Sequence, residues 1–516
     1  MQMVYGVKDR PKAGRLILFA LQQLLAILAA TIAVPMIVGN GMQPSAALFG
    51  AGVGTIVYLL FTKFRSPVFL GSSFAFLGSM AAAFAGGVSM SLGYLGLLIG
   101  AVLAGLVYVV IAVIVKFAGT KWIDKIMPAV VIGPTVAIIG LSLAGNAVKD
   151  IVSTGFGYAS VAESGGYIMN TTSWLSLVCG LTTLAVTIVC SVYGKNMLKM
   201  IPFIIGILSG YALAAIFTGF SYIEGAEAMR IINFDTFATL KEASAWYPKF
   251  SFLTAFNVFG GGYGDTNIGA YIGSIAVAYI PVAFVVFAEH LADHKNISSI
   301  IETDLLKDPG LHRTLLGDGV GSIAGAFFGG CPNTTYGESV GCVAISRNAS
   351  VITILVTACM AILSAFLAPF TLFLSSIPKC VMGGVCIALY GFIAVSGLKM
   401  IQKVDLNDHR NLFTVCVILI AGVGGMVLNI GKVTLTAVAC ALILGILTNL
   451  LVNIGRKNKG GESVADVAPE ASVDAAFTDE AVENAESARD AHAEEGEQSA
   501  EAHTDAKEGG ISNEKA

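Results

Sequence analysis

Long apolar runs recur from Leu16 to Ile454, and they restrict the fold more than any motif does. About 20 consecutive apolar residues make a helix long enough to cross a bilayer. Lipid offers no hydrogen bonds, so each crossing segment must satisfy its own backbone, and only helices or closed barrels do so. Runs of this length predict an all-α polytopic membrane protein. Composition agrees: 55% of the 516 residues are hydrophobic and 12% are charged, against about 25% charged in a soluble domain. The basic N-terminus leads into an apolar run too long for a cleavable signal peptide, so none is expected.

Hydropathy divides the chain into fourteen predicted spans: 15–37, 46–62, 72–87, 92–117, 126–146, 173–193, 197–219, 268–292, 310–330, 333–347, 350–375, 379–398, 411–428 and 433–455. The spans at 72–87 and 333–347 are short and broken. With the N-terminus in the cytoplasm, alternate loops and span ends collect 21 Lys and Arg on the inside and 6 outside. That asymmetry predicts two cytoplasmic termini and an even number of spans. The predicted organisation is a cytoplasmic N-terminus (1–14), a first seven-span repeat (15–219), an extracytoplasmic connection (220–267), a second seven-span repeat (268–456) and a cytoplasmic tail (457–516). From Gly460 onward 16 Asp and Glu face 3 Lys and Arg, and Phe477 is the sole aromatic residue. Such a segment buries too little apolar surface to fold alone and is expected to be disordered. The glycine run Gly260-Gly261-Gly262-Tyr263-Gly264 lacks the context of a phosphate loop and reads as a flexible external loop. The nine cysteines show no metal or disulfide spacing.

The two halves resemble each other. Pro128 to Gly133 and Pro378 to Gly383 repeat one pattern, with Gly140 and Gly391 downstream. The broken segments Gly71–Phe76 and Asn333–Gly337 lie at a similar offset. Seven spans per half force opposite orientations, which makes the repeat inverted. Broken segments at matching places in two halves point to a transporter's binding site.

The second broken segment, Cys331-Pro332-Asn333-Thr334-Thr335-Tyr336-Gly337-Glu338-Ser339, cannot begin as an ordinary helix. Pro332 disfavours helix before it, and Thr334, Thr335 and Tyr336 favour extended backbone. Glu338 then places a carboxyl group inside an apolar span. Glu289 and Asp293 lie one helical turn apart at the end of another apolar run, beside His290 and His294. Ionisable groups so placed indicate function. Burial penalises the charged form of a carboxyl group, and a second carboxylate adds repulsion. Such a pair can load a proton on one side of a membrane and release it on the other. Gly337-Glu338-Ser339-Val340-Gly341 has the Gly-x-Ser-x-Gly spacing, but nothing else in the sequence marks it as a nucleophile elbow, and His-Glu-x-x-His is absent, so no enzyme is expected. Broken helices also leave free N–H and C=O groups. Together with carboxylates and aromatic faces these suit a planar pyrimidine or purine base better than a sugar or a metal ion.

Ala288-Glu289-His290, Asp304 to Arg313 and Pro332 to Glu338 closely resemble the nucleobase–cation symporter-2 (nucleobase–ascorbate transporter) family, and within it the bacterial uracil:proton symporters. Leu70 to Phe76 and Ala29 to Pro35 share the likeness, which runs from about Arg10 to Gly455. The resemblance implies fourteen spans in a 7+7 inverted repeat. Spans 1–4 and 8–11 would form a substrate-holding core, and spans 5–7 and 12–14 a gate. Spans 3 and 10 would each begin as a short β-strand, the two meeting at the membrane midplane. It implies that Glu289 and Glu338 bind the ring, that main-chain groups of Phe74, Tyr336 and Gly337 complete the site, and that Ala30 and Thr31 line it. Glu289, Asp293, His294 and Glu338 would carry the proton coupling. Three positions depart from the family pattern: Asp293 stands where His is frequent, Gln22-Gln23 replaces Gln-His, and Ser339 follows Glu338 where Asn is common.

The implied function is import of uracil by proton symport across a bacterial inner membrane. No cofactor or metal is expected, and the proton is favoured over sodium as coupling ion. The implied partners are a nucleobase and the lipid bilayer; a homodimer is compatible with the resemblance, and no nucleic-acid partner is implied. The alternatives are a xanthine or purine permease of the same family, an anion exchanger on the same scaffold, or a transport-derived sensor signalling through the tail.

Overall fold

The computed structural model describes residues 3–119, 122, 128–163, 165–195, 197–261, 266–430 and 433–454. The acidic tail and most of the glycine run lie outside these residues. The chain is mostly helical. It opens with α1 (Ala13–Val38) and α2 (Pro44–Phe61), then passes through a short strand, β1 (Leu70–Ser72), into the seven-residue helix α3 (Leu77–Ala83). The long helices α4 (Met90–Ala118), α5 (Ala129–Ile151), α6 (Thr171–Tyr193) and α7 (Pro202–Glu224) follow. After the short helix α8 (Ser251–Phe256) comes the 33-residue α9 (Ile268–Ile300), then α10 (Leu311–Gly329), the strand β2 (Asn333–Thr335) and α11 (Gly337–Ser346). The chain continues through α12 (Val351–Ser364), α13 (Ala368–Ser376), α14 (Lys379–Gln402) and α15 (His409–Val423). The hairpin β3 (Leu428–Ile430) and β4 (Val433–Leu435) leads into α16 (Ala437–Val452).

Among the described residues eight helices are long and apolar enough to cross a membrane. A ninth crossing arises if α12 and α13, bent by 83°, count together. The helical, polytopic class expected from hydropathy is therefore the observed one.

Small residues let helices cross at backbone contact, as packing within lipid requires. At the α2–α10 crossing a Cβ on Gly50 would lie 2.4 Å from the Gly325 carbonyl oxygen, and one on Gly321 would lie 2.7 Å from the Gly54 oxygen. At the α5–α14 crossing a Cβ on Gly140 would lie 2.3 Å from the Tyr390 oxygen, and one on Gly397 would lie 2.3 Å from the Ala137 nitrogen. The repeated motif thus begins two helices that pack on each other, with Pro128 and Pro378 at their N-caps. The sequence match of Gly140 with Gly391 is not a packing match, because Gly391 faces open space and Gly397 makes the contact.

Part of the 220–267 connection is built into the bundle. Phe250 and Phe252, at the start of α8, pack on Phe328 with ring centroids 5.4 and 5.9 Å away, and Phe252 stacks on Phe327 at 4.6 Å.

Gly50→Val is expected to lower the melting temperature in detergent, since overpacking costs about 1–3 kcal/mol. Gly391→Ala, which enters open space on a helix, is expected to leave it unchanged or raise it slightly. Equal melting behaviour of the two variants would contradict the backbone contact at the α2–α10 crossing.

Candidate functional site

The two broken segments meet. β1 and β2 pair antiparallel, Leu70 opposite Thr335, Gly71 opposite Thr334 and Ser72 opposite Asn333. Strands of three residues do not hold alone, and helices around them supply the missing partners. The Thr55 hydroxyl on α2 accepts from Leu70 N–H at 2.9 Å and donates to Ala51 O at 2.8 Å. The Asn333 amide donates to Gly50 O at 3.2 Å, and Phe69 N–H donates to the Ser339 hydroxyl at 3.0 Å. The pair continues past its ends through Ser73 N–H to Pro332 O and Tyr336 N–H to Phe69 O. Gly71 is required here: a Cβ would lie 2.1 Å from the Tyr336 ring, whose hydroxyl donates to Ser72 O at 2.9 Å.

Because the strands are antiparallel, the chain leaves them at opposite ends. β1 runs through a single 3-10 turn, Phe74–Phe76, into α3, and β2 runs through Tyr336 into α11. Each short helix therefore starts beside the strand pair, with its first N–H groups unpartnered by its own backbone and the positive end of its dipole at that point. Glu338 lies in the first turn of α11, where a carboxylate is favoured.

α9 presents its carboxylates to this centre. Glu289 and Asp293 are half-buried, and Asp293 accepts from the Thr335 hydroxyl on β2 at 2.6 Å. Glu289 lies within electrostatic reach of Asp293, Glu338 and Asp318. Gly337 lies beside Asp293. Thr31 and Ala30 on α1 are buried, and Thr31 reaches the Tyr336 hydroxyl. Phe74 sits with its ring edge against Tyr390 of α14, centroids 5.9 Å apart. The structure thus gathers Glu289, Asp293, Glu338, Tyr336, Gly337, Thr31 and Ala30 at the strand pair, with Phe74 at its edge.

His294 is turned elsewhere. Its Nδ1 donates to His290 O at 2.8 Å, and its Nε2 lies 2.6 Å from the Tyr58 hydroxyl, itself 2.6 Å from Ser66 Oγ. Its contacts therefore lie with α2 rather than with Glu338.

Asp318 and Tyr390 join the site without having been singled out in the sequence, and His290 acquires its partners there. His290, fully buried, donates from Nδ1 to Asp318 Oδ2 at 2.7 Å and reaches the Thr314 hydroxyl from Nε2 at 3.0 Å. The other Asp318 oxygen has no hydrogen-bond partner among the described residues. A lone acid in the middle of the 310–330 span was the available signal. Tyr390 carried none, being one aromatic residue in an apolar helix. Two departures from the family pattern touch each other: the Gln23 amide donates to the Ser339 hydroxyl at 2.6 Å and to its carbonyl at 3.3 Å. Among the described residues no group of three His, Cys, Asp or Glu is arranged to hold a metal ion.

Chemically, the centre offers carboxylate acceptors from two elements, helix-start N–H donors and aromatic faces. A small planar molecule carrying both N–H and C=O groups is complementary to that set.

Known proteins are similar to this chain in fold or in sequence. The transmembrane domain of the cyanobacterial bicarbonate transporter BicA superposes with a TM-score of 0.56 at 14% identity, over 87% of this chain and 99% of that one. The murine Slc26a9 anion transporter in its inward-facing state gives 0.56 at 14% identity, over 87% of this chain and 69% of that one. At that identity the likeness concerns fold alone. Among relatives in sequence, the uracil permease of Bacillus caldolyticus is 40% identical over 453 residues, 87% of this chain and 94% of that protein. The uracil permease of Bacillus subtilis (strain 168) is 37% identical over 462 residues, 89% and 97%. That of Escherichia coli (strain K12) is 35% identical over 452 residues, 87% and 94%. Residues 14–431 match the family described as the Permease family. The chain therefore belongs to this permease family, the nucleobase–cation symporter-2 family that its motifs resemble.

Proposed function

We propose that this protein imports uracil by proton symport across the cytoplasmic membrane of a bacterium. The observation that carries the reading is the convergence of Glu289 and Asp293 on α9 with Glu338 on α11, across the β1–β2 pair. Glu289 and Glu338 accept from the ring N–H groups. Main-chain N–H groups at Gly337 and the start of α3 near Phe74 donate to the ring carbonyls. Tyr336 and Phe74 cover its faces, and Ala30 and Thr31 line the wall. The relatives named as uracil permeases support uracil over other bases.

Uracil is neutral at physiological pH, so membrane potential alone does not accumulate it. A proton taken up with it supplies charge and driving force. In this reading Glu289, Asp293, His294 and Glu338 form the coupling set. Asp293, hydrogen-bonded to Thr335 on β2, links a change in its protonation to the broken segment that holds the ring. His294 contributes through α2, as its contacts with Tyr58 indicate.

The same reading assigns fourteen spans in two inverted repeats, 15–219 and 268–456, joined by an extracytoplasmic connection, with both termini cytoplasmic. α3 with β1 and α11 with β2 are the broken third and tenth spans, and α12 with α13 is one bent span. The mutual packing of α2 with α10, of α5 with α14 and of β1 with β2 supports this, since each pair joins the same position of the two halves. Spans 1–4 and 8–11 form the core, and spans 5–7 and 12–14 the gate that moves against it, in a monomer or a homodimer.

The shared fold with anion transporters does not extend to the cargo, because three carboxylates at the centre repel an anion. A xanthine or purine permease is the nearer competitor; such proteins usually carry Gln-Asn where this chain has Pro332-Asn333.

Radiolabelled uracil uptake into proteoliposomes tests the reading. An inward proton gradient is expected to drive accumulation with or without sodium, and excess uracil, but not xanthine or hypoxanthine, is expected to compete. Accumulation that requires sodium, or competition by xanthine alone, would overturn coupling or substrate respectively. Glu289→Gln is expected to abolish gradient-driven uptake; wild-type rates in that variant would refute its role. Asp293→Asn retains an acceptor for Thr335 but cannot exchange a proton. It is expected to keep uracil counterflow while losing the response to a pH gradient. Thr335→Val leaves Asp293 short of a donor, at a cost of about 1–3 kcal/mol, and is expected to weaken uracil binding about tenfold or more.

A further inference from the structure

α11 has ten residues and is about 15 Å long, half of a bilayer crossing. Its C-terminal carbonyls and the linker to α12 therefore carry backbone groups that no helix satisfies. They are also buried: Asn348, Ala349, Ser350 and Val351 are all 4% exposed or less. Buried backbone groups need partners, and here the partners come from the segment ahead of α1. Arg347 O accepts from Val4 N–H at 2.9 Å and from Tyr5 N–H at 3.3 Å. Ala349 N–H donates to Tyr5 O at 2.9 Å and Val351 N–H to Val7 O at 3.2 Å. The Ser350 hydroxyl donates to Asp9 O at 2.6 Å. Tyr5 and Asn348 form a parallel bridge.

The segment is itself anchored. Gly6 N–H donates to Asp9 Oδ2 at 2.7 Å, Arg15 donates to the Tyr5 hydroxyl at 3.2 Å, and the Tyr5 ring meets Phe19 edge-on at 6.0 Å. Against it lies a cavity of about 570 Å³, lined by Lys8 and Asp9, by Arg65 ahead of β1, by Thr303 beyond α9 and by Ala349 beyond α11. The segment thus sits where the elements bearing Glu289, Asp293 and Glu338 emerge.

We propose that residues 3–9 are a positioning strap that pins the C-terminal end of α11 and so fixes Glu338 and Gly337 at its other end. A ten-residue helix is stiff, so a shift at the linker moves the site, and small misplacements of binding groups are costly. Without the strap α11 keeps β2 and the Gln23–Ser339 contact, so it stays in the bundle with one end released. The strap sets affinity for the transported base, and this part of the proposal rests on the transport reading above.

Val4→Pro removes the shorter of the two N–H bonds that Arg347 O accepts, Ser350→Ala removes the hydroxyl bond to Asp9, and Val4→Ala preserves the N–H as a control. In purified full-length protein, amide hydrogen exchange of residues 339–351 is expected to accelerate in Val4→Pro and in Ser350→Ala. It is expected to stay at the wild-type rate in Val4→Ala, and amides of α2 and α10 are expected not to change. In proteoliposomes holding equal amounts of protein, both variants are expected to raise the half-saturating uracil concentration about fivefold with little change in maximal rate. Unchanged exchange and half-saturation in both variants would overturn the strap. So would a fall in maximal rate alone. Should Val4→Pro fail to fold, Ser350→Ala decides by the same two readings. If the wild type takes up no uracil, the transport reading fails by itself and hydrogen exchange decides the strap.

Discussion

The three-residue pairing of Leu70–Ser72 with Asn333–Thr335 is the interaction on which the rest of the centre depends. It is too short to stand alone, and it survives because α2, α10 and α11 close around it. Thr55 completes the Leu70 backbone, Asn333 reaches Gly50, and Ser339 completes Phe69. The glycines of the α2–α10 crossing bring those helices within reach. Irregular backbone deep in an apolar bundle is tolerated only when protein or a hydrated cavity satisfies it. Here the satisfaction is built from single side chains: Thr55 on α2, Asn333 on β2 itself and Ser339 on α11.

Antiparallel pairing has an electrostatic consequence. It sets the starts of two short helices at one centre, with their N–H groups and positive dipole ends beside it. Carboxylates are the complementary charge, and α9 and α11 supply three. Buried charges are costly unless partnered. Asp293 has Thr335, and Asp318 has His290. In the proposed function Glu289 and Glu338 are the groups that meet the ligand and the proton. The His290–Asp318 pair lies behind them, where it holds α9 against α10.

Much of this was legible in the chain. Apolar run length specified a helical membrane protein, because lipid leaves the backbone no other choice. Pro332, the Thr-Thr-Tyr run and Gly337 marked one break, and the other, at Gly71–Phe76, showed as a short apolar span at a matching offset in the first half. Glu289 and Asp293 were found because one turn of helix separates them. Apart from the meeting of the two broken strands, which the family resemblance implies, contacts between distant segments were not legible. Nothing in Gln23 or Ser339 alone indicates that each compensates for the other, nor that Tyr390 meets Phe74. The Gly140–Gly391 match failed as packing because sequence similarity does not report which helix face a neighbour covers. The acidic tail lies outside the described residues.

Local chemistry therefore dictates the class of fold, the places where helices break and the identity of the ionisable groups, because propensity, length and burial cost act within a few residues. The register in which the two breaks pair, the turning of His294 toward Tyr58 and the capture of the α11 linker by residues 3–9 are decided only on folding. Each joins atoms tens or hundreds of residues apart, and backbone groups left open in one segment select their partners from whatever the bundle brings close.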